Sequence, residues 1–164
     1  MNPVPDDTAM AGLIENLSAK LLQSGLRLAT AESCTGGWIA KCCTDRAGSS
    51  AWFERGFVTY SNEAKHELLG VDAQVLEFAG AVSEAVAMQM ASGAVNHSNA
   101  DLSLAVTGIA GPDGGTDDKP VGTVWFGWSV DGSVTTECKL FPGSRDDVRR
   151  QTVAHAVSEL IGRL

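Results

Sequence analysis

The sequence of 164 residues lacks the features of a membrane or exported protein. No apolar stretch approaches the roughly 18 residues that a membrane-spanning helix needs. The N-terminus carries Asp6 and Asp7 where a signal peptide would carry positive charge followed by an apolar run. These absences predict a cytoplasmic protein without a membrane partner.

Basic residues and paired cysteines are also scarce. Twelve Lys and Arg stand against 20 Asp and Glu, a formal net charge of −8, which disfavours a surface that holds nucleic acid. The four cysteines show neither a CxxC pair nor the spacing of a zinc site or disulfide framework; they are Cys34, Cys42, Cys43 and Cys138. We therefore expect a reducing compartment, no nucleic-acid partner, no metal and no cofactor.

The sequence does contain a regular alternation of helical and strand patterns. Short apolar or β-branched runs predict strands at 26–31, 52–60, 102–107, 121–130 and 134–140, the last two joined by a tight turn at Asp131-Gly132. Helical spacing predicts helices at 10–22, 34–44, 62–69, from Ser83 and at 145–164. Ser144 and Asp147 have the spacing of a capping box. The pattern predicts one domain over residues 1–164, a three-layer α/β/α fold with a mixed sheet.

Three polar clusters fall where predicted strands end. They occupy residues 32–37, 60–65 and 107–115. Ser33 lies between a buried strand and a helix start, where unpaired backbone N–H groups can stabilise an oxyanion or hold a phosphate, an arrangement that would use Gly36 and Gly37. Because the same position suits an ordinary helix cap, spacing alone leaves both interpretations open.

The sequence offers a lysine rather than a histidine as a base for Ser33. There is no GxSxG frame, and the three histidines lie in helical stretches without a link to Ser33; they are His66, His97 and His155. Lys65 follows the strand that carries Tyr60 by one helical turn, so both could reach one cleft. To be neutral near pH 7, Lys65 needs its pKa lowered by about 3, at about 4 kcal/mol, by burial or a nearby arginine such as Arg145, Arg149 or Arg150. The alternative is a solvated lysine paired with Glu63.

Two other interpretations remain open. Cys34 lies at a predicted helix N-terminus, where thiol pKa values fall, and so competes with Ser33 as a nucleophile. Arg145 and Arg149 are four residues apart on one face at the start of the last helix, a spacing that suits a phosphate clamp; the alternative is a pair of solvated charges.

Four sequence blocks resemble a known family. They are Ala31–Gly37 (AESCTGG), Gly56–Lys65 (GFVTYSNEAK), Thr107–Gly115 (TGIAGPDGG) and Lys119–Val124 (KPVGTV). In this order they resemble the signature blocks of the CinA C-terminal domain family, and the resemblance extends from about Leu13 to Leu160. That family includes stand-alone nicotinamide-nucleotide amidases and the C-terminal half of longer competence/damage-inducible proteins.

The resemblance implies an activity and a fold. It implies hydrolysis of nicotinamide mononucleotide to nicotinate mononucleotide and ammonia, on a three-layer fold with a mixed, mainly parallel five-stranded sheet. The chain resembles the stand-alone form, so the metal-dependent pyrophosphatase activity of the longer proteins is not expected.

The resemblance also implies roles for individual residues. Ser33 would be the nucleophile, Lys65 its base and Tyr60 a partner that steadies or shuttles the proton. The substrate-binding residues would be Cys34, Thr35, Gly36, Gly37, Asn62, Thr107, Gly108, Arg145 and Arg149, with backbone donors near Gly36 and Gly37 holding an anion and an arginine meeting the phosphate.

Two other functions compete with the amidase. One is a non-catalytic nucleotide-binding module in which Ser33 only caps a helix, and the other is an interaction domain for competence or damage-response partners, which the acidic composition does not support. Four tryptophans also leave apolar surface for a homo-oligomer; they are Trp38, Trp52, Trp125 and Trp128.

Overall fold

The computed structural model describes residues 3–164, which form one five-stranded sheet with helices on both faces. The strands are β1 (Leu28–Glu32), β2 (Phe53–Val58), β3 (Leu102–Gly108), β4 (Thr123–Val130) and β5 (Ser133–Leu140). The helices are α1 (Asp7–Ser24), α2 (Trp38–Asp45), α3 (Asn62–Leu69), α4 (Ala73–Ala79), α5 (Glu84–Asn96) and α6 (Arg145–Arg163). No helix within residues 3–164 combines the length and the apolar character that crossing a bilayer requires.

The sheet has the order β2-β1-β3-β4-β5 and is mixed. β1 pairs in parallel with β2 and with β3, whereas β4 is antiparallel to both β3 and β5. Four strands therefore run in one direction and β4 runs in the other. The prediction of a mixed, mainly parallel sheet is confirmed.

Two separate apolar cores cover the faces of the sheet. On one face α1, α2 and α6 contribute side chains such as Leu17, Ile39 and Val157 to a core that includes Phe126 and Trp128. On the other face α3, α4 and α5 pack Leu69, Leu76 and Met90 against alanines of β1 and β3. These two helical layers and the sheet between them form the predicted three-layer architecture.

Local signals in the sequence explain most element boundaries. The Ser61 hydroxyl caps α3 by accepting a hydrogen bond from Ala64 N, and Gly70 ends the helix with a φ of 68°. The predicted capping box at Ser144 and Asp147 is present. The strands shift by one or two residues from their predicted limits. Helix α4 was not predicted because its seven residues are too few to show a helical period.

The register of the parallel strands brings the polar clusters together. Glu32 is paired with Val58 on one side and with Val106 on the other. The residues that follow these three positions, Ser33, Thr59 and Thr107, therefore lie side by side at the carboxyl edge of the sheet. This edge is where open α/β sheets bind ligands.

A close helix contact holds α3 in place at this edge. A Cβ atom added to Gly93 of α5 would lie 1.9 Å from the carbonyl oxygen of Leu69 in α3. The Gly93→Ala substitution should therefore lower the free energy of unfolding by about 3 kcal/mol, since neither backbone can move without repacking its layer. Urea unfolding measures this change.

The matched control is Gly12→Ala, in the exposed part of α1, where an added Cβ meets nothing within 4 Å. This variant should be more stable than the native protein by up to about 1 kcal/mol, because alanine favours helix. Equal stability of the two variants would contradict the close contact between α3 and α5.

Candidate active site

A serine and a lysine meet at the carboxyl edge of the sheet. Ser33 follows β1 directly, and its N–H extends the parallel ladder by donating to the Val106 carbonyl at 3.1 Å. Lys65, in the first turns of α3, places Nζ 2.9 Å from Ser33 Oγ and 2.8 Å from the carbonyl oxygen of Thr59. Ser33 is 8% exposed and Lys65 only 1%. The structure thus joins two residues that the sequence analysis had selected from separate clusters.

Burial disfavours the charged form of this lysine. Removal from water lowers the pKa of Lys65 below its ordinary value of 10.5, because a buried ammonium loses hydration. Neither contact at Nζ supplies a carboxylate to offset this effect. The sequence allowed two causes for a lowered pKa of Lys65, burial and a nearby arginine, and burial is the cause in the structure. Arg150 does not provide the charge, since its guanidinium pairs with Asp7 at 2.6 Å.

A cavity of about 310 Å³ opens beside the pair. Polar side chains from three further parts of the chain line it together with Ser33 and Lys65; they are Tyr60, Asn62, Thr107, Asp113 and Arg145. Of the predicted substrate-binding residues, Cys34, Asn62, Thr107, Gly108 and Arg145 line the cavity. Thr35, Gly36, Gly37 and Arg149 do not.

Thr35 is turned away from the cavity towards a buried carboxylate. The Glu32 side chain accepts hydrogen bonds from Thr35 Oγ1 at 2.6 Å, Ile39 N at 2.8 Å and Ala40 N at 3.0 Å. Burial raises the pKa of this carboxyl group, and these donors act in the opposite direction. Glu32 lies in the first polar cluster but was not among the predicted site residues. A signal was present, since an acidic residue ends an apolar strand just before a helix, where its charge favours the helix start.

The two glycines shape the turn that follows Ser33. Gly36 and Gly37 have φ values of 60° and 99°, which only glycine adopts readily. The Gly36 N–H donates to the Ser33 carbonyl at 3.1 Å. The Gly37 N–H helps to lower the pKa of the Glu32 carboxyl group. The prediction that backbone donors near Gly36 and Gly37 hold an anion stays a prediction. Within residues 3–164, the N–H groups of Cys34 and Thr35 also have no backbone acceptor.

The two predicted phosphate ligands have different surroundings. Arg145 Nη1 donates to the Gly111 carbonyl at 2.7 Å and Nη2 to the Tyr60 hydroxyl at 3.1 Å, so its guanidinium lies at the cavity. Arg149 donates from Nε to the Cys34 carbonyl and from Nη2 to the Thr35 carbonyl, both at 3.1 Å. The second arginine holds the turn instead of lining the cavity.

Tyr60 lies at the cavity but not at the reacting pair. Its side chain is 64% exposed, and its hydroxyl accepts from Arg145 rather than contacting Ser33 or Lys65. The structure therefore places Tyr60 next to the arginine, and its predicted part in proton transfer stays a prediction.

Cys34 is poorly suited to act as the nucleophile. The thiol is 5% exposed, and burial raises its pKa to about 12. The sequence suggested the opposite shift from a helix N-terminus, but α2 begins only at Trp38, and loss of hydration is the larger effect. A thiol that stays protonated at neutral pH is a weak nucleophile. Within the described chain, no group of three or more His, Cys, Asp or Glu side chains is placed to hold a metal ion.

Fold and site together define an open α/β protein with a buried serine–lysine pair at the carboxyl edge of a mixed sheet. The model of the CinA C-terminal domain matches residues 10–164. The chain therefore belongs to the CinA C-terminal domain family, as its sequence blocks indicated.

Known relatives cover almost the whole chain. It is 52% identical to the nicotinamide-nucleotide amidohydrolase PncC of Escherichia coli strain K12 over 157 residues, 94% of each protein. It is 56% identical to the protein of the same name from Enterobacter agglomerans over 142 residues, 86% of this chain and 87% of that one. Among solved structures, a CinA superfamily protein from Escherichia coli superposes with a TM-score of 0.93 at 40% identity, covering 100% of this chain and 99% of the other.

The lowered pKa of Lys65 predicts a specific pH dependence of stability. In the unfolded chain Lys65 keeps its proton up to about pH 10.5, whereas in the folded protein it releases the proton at a lower pH. The free energy of unfolding should therefore increase as the pH rises from the lowered pKa of Lys65 towards 10.5. It should decrease again as the pH falls through this range. Urea unfolding of the native protein and of Lys65→Met should show a stability difference that changes with pH in this direction.

Lys41→Met is the matched control, because Lys41 is exposed and pairs with Asp45, which raises its pKa. The contribution of Lys41 to stability is fully present below pH 10.5, and it is lost only as the pH rises through the raised pKa. A pH-independent difference between the native protein and Lys65→Met would contradict a lysine with a lowered pKa.

Proposed function

We propose that this protein hydrolyses the carboxamide of nicotinamide mononucleotide to nicotinate mononucleotide and ammonia. The main support is the contact of 2.9 Å between Ser33 Oγ and a buried Lys65 Nζ at an open cavity. This pair supplies a hydroxyl nucleophile and an amine base, which amide hydrolysis through an acyl-enzyme needs. The PncC relatives, 52% and 56% identical, bear the name of this activity.

Acylation begins with a proton transfer between the two residues. Neutral Lys65 accepts the hydroxyl proton while Ser33 Oγ bonds to the carboxamide carbon, and the carbonyl electron pair moves onto oxygen. The resulting tetrahedral intermediate collapses, and the C–N bond breaks. The departing nitrogen takes the proton from Lys65 and leaves as ammonia, so Lys65 is neutral again and Ser33 carries an ester.

Deacylation uses the same base for water. Lys65 removes a proton from a water molecule that attacks the ester carbon, and the second intermediate collapses by returning that proton to Ser33 Oγ. The product is a carboxylic acid, which ionises at neutral pH. The balance is one amide and one water converted to one acid and one ammonia, with no oxidant or reductant.

Burial makes the lysine suitable for both steps. The Thr59 carbonyl, 2.8 Å from Nζ, accepts one N–H of the neutral amine and so turns its lone pair towards Ser33. A positioned general base contributes about 10²–10⁴-fold to a rate, and contributes most when its pKa is near the working pH. Burial moves the pKa of Lys65 in that direction.

Arg145 is the better candidate for binding the phosphate. It lines the cavity, whereas both donor groups of Arg149 that point towards the turn are occupied by carbonyls. A guanidinium binds phosphate oxygens in pairs, and the neighbouring Tyr60 hydroxyl can donate to the same group. Asn62, Thr107 and Gly108 also line the cavity, where they would enclose the nucleoside.

The proposed compartment is the cytoplasm. Cys34, Cys42, Cys43 and Cys138 are all free thiols. A reducing compartment keeps thiols in that state. The competing proposal of a binding module without catalysis gains no support from a base 2.9 Å from the hydroxyl.

Removing the nucleophile should abolish turnover without abolishing binding. Ser33→Ala should lower kcat for ammonia release by at least about 1000-fold, because no other described group can form the acyl ester. Calorimetry should still detect binding of nicotinamide mononucleotide to this variant. Cys34→Ala should keep measurable ammonia release. Turnover that survives in Ser33→Ala and is lost in Cys34→Ala would move the chemistry to the thiol, and binding without turnover by the native protein would favour the module.

Removing the phosphate ligand should affect binding of the nucleotide selectively. Arg145→Ala should raise KM for nicotinamide mononucleotide by about 10- to 100-fold, the equivalent of one hydrogen-bonded charge. KM for nicotinamide riboside, which lacks the phosphate, should change little. Arg150→Ala is the control on the same helix, because Arg150 pairs with Asp7 outside the cavity. An equal rise of KM for both amides in Arg145→Ala would contradict a phosphate contact.

A further inference from the structure

We propose that Lys119 is a positioning residue for substrate binding, which together with Thr107 holds residues 79–82 in place as part of the cavity wall. These four residues are called the wall segment below. The inference rests on the proposed function, because it takes the nucleotide to bind in this cavity. Its support is a set of side-chain hydrogen bonds to three successive carbonyl groups of the wall segment.

The wall segment connects α4 to α5 and reaches the cavity. Ala81 and Val82 line the cavity together with Ser33 and Lys65. Within the chain from residue 3 onwards, the N–H groups of Ala81 and Val82 have no backbone acceptor. Regular backbone pairing therefore does not fix the part of the wall segment that faces the cavity.

Side chains hold the wall segment instead. Three successive carbonyl oxygens each accept one hydrogen bond: Ala79 from Lys119 Nζ at 2.7 Å, Gly80 from Ser83 Oγ at 2.9 Å and Ala81 from Thr107 Oγ1 at 2.9 Å. Ser83 is the cap of α5 and belongs to the same stretch of chain. Thr107 lies in β3 and Lys119 in the loop before β4, so these two bonds join the wall segment to the edge of the sheet.

Lys119 can hold the wall segment because its own backbone is fixed. Thr116 N donates to the Lys119 carbonyl at 2.8 Å, and Lys119 N donates to Thr116 Oγ1 at 3.0 Å. The loop is also tightly packed, since a Cβ atom added to Gly115 would lie 2.7 Å from Val121 N. The Lys119 side chain thus extends from a fixed turn to Ala79 and is outside the cavity lining, so any effect on binding is indirect.

The wall segment presents apolar side chains to the cavity. Ala81 and Val82 line it alongside Ile109 and Ala110, whereas the charged group outside the reacting pair that suits a phosphate is Arg145. Apolar side chains bind the carbon-rich part of a ligand, and a few polar groups fix its orientation. The wall segment therefore fits the ring of the proposed nucleotide rather than its phosphate. A displaced wall segment should weaken binding of the nucleotide and of the riboside equally.

Loss of the Lys119 contact should appear in binding rather than in the chemical step, because the wall segment carries neither Ser33 nor Lys65. Lys119→Met should raise KM for nicotinamide mononucleotide and for nicotinamide riboside by about 10-fold, the equivalent of one hydrogen bond from a charged donor. The calorimetric Kd for the nucleotide, measured in a Ser33→Ala background, should rise by the same factor. For both amides kcat should change less than about threefold. Lys119→Arg keeps a charged donor and should return KM to within about threefold of the native value.

Two further variants separate this role from a general loss of stability. Lys20→Met is the matched control, because Lys20 Nζ also donates to a backbone carbonyl, that of Ile161, at 3.0 Å and away from the cavity. It should leave KM unchanged. Thr107→Val removes the second contact to the wall segment. The double variant with Lys119→Met should raise KM by clearly less than the product of the two single effects, because loss of either contact already displaces the wall segment. Amide hydrogen exchange in residues 79–82 should be faster in Lys119→Met than in Lys20→Met.

Each alternative outcome is distinct. Native KM and Kd in folded Lys119→Met would overturn the inference, as would a loss of kcat alone or a rise of KM as large in Lys119→Arg. A rise for the nucleotide but not for the riboside would assign Lys119 to the phosphate, and multiplied effects in the double variant would separate it from Thr107; both overturn the inference. Thermal unfolding identifies a variant that does not fold, and Lys119→Gln, uncharged and one atom shorter, then provides the comparison. If the native protein bound the nucleotide without releasing ammonia, the amidase proposal would fail while the Kd comparison still tested the wall segment.

Discussion

The contact between Lys65 Nζ and Ser33 Oγ is the interaction on which the proposed mechanism depends, and its burial favours the neutral amine that this mechanism needs. In water the amine would be an ammonium, and a hydroxyl 2.9 Å away would have no proton acceptor. The burial comes from the fold. Helix α3 lies directly on α5, where Gly93 allows the backbones to touch, and the Thr59 carbonyl at the end of β2 closes the amine from the other side.

The position of Ser33 depends on the alternation of side chains along its strand. Successive residues of a strand point to opposite sides, so Glu32 turns towards α2 while Ser33 turns towards the cavity. Burying the Glu32 carboxyl group is costly, and one hydrogen bond from Thr35 and two from the start of α2 offset the cost. The same bonds fix the turn that follows Ser33, and Arg149 fixes it from α6. The contacts that satisfy the buried Glu32 side chain therefore also fix the position of Ser33.

The sequence alone predicted what depends on local patterns. Strand runs, the turn at Asp131-Gly132, the capping box and the meeting of Ser33 with Lys65 follow from periodicity and strand-end position. It did not separate Arg145 from Arg149, because two long side chains one helical turn apart can reach different partners, and only tertiary contacts decide between them. It also favoured a low pKa for the Cys34 thiol, since the burial that raises that pKa to about 12 has no local signature.

The acidity of the chain affects how an anionic nucleotide could be bound. A net charge of −8 repels a phosphate at long range, but salt screens that repulsion beyond about 8 Å under physiological conditions. Binding of the proposed nucleotide would therefore come from contacts inside the cavity, which Arg145 and Asp113 both line. Arg149 and Arg150 contribute little attraction there, because one is bound to the turn and the other to Asp7. In the proposed function, recognition of the phosphate thus rests on one guanidinium and its geometry, not on the overall charge of the surface.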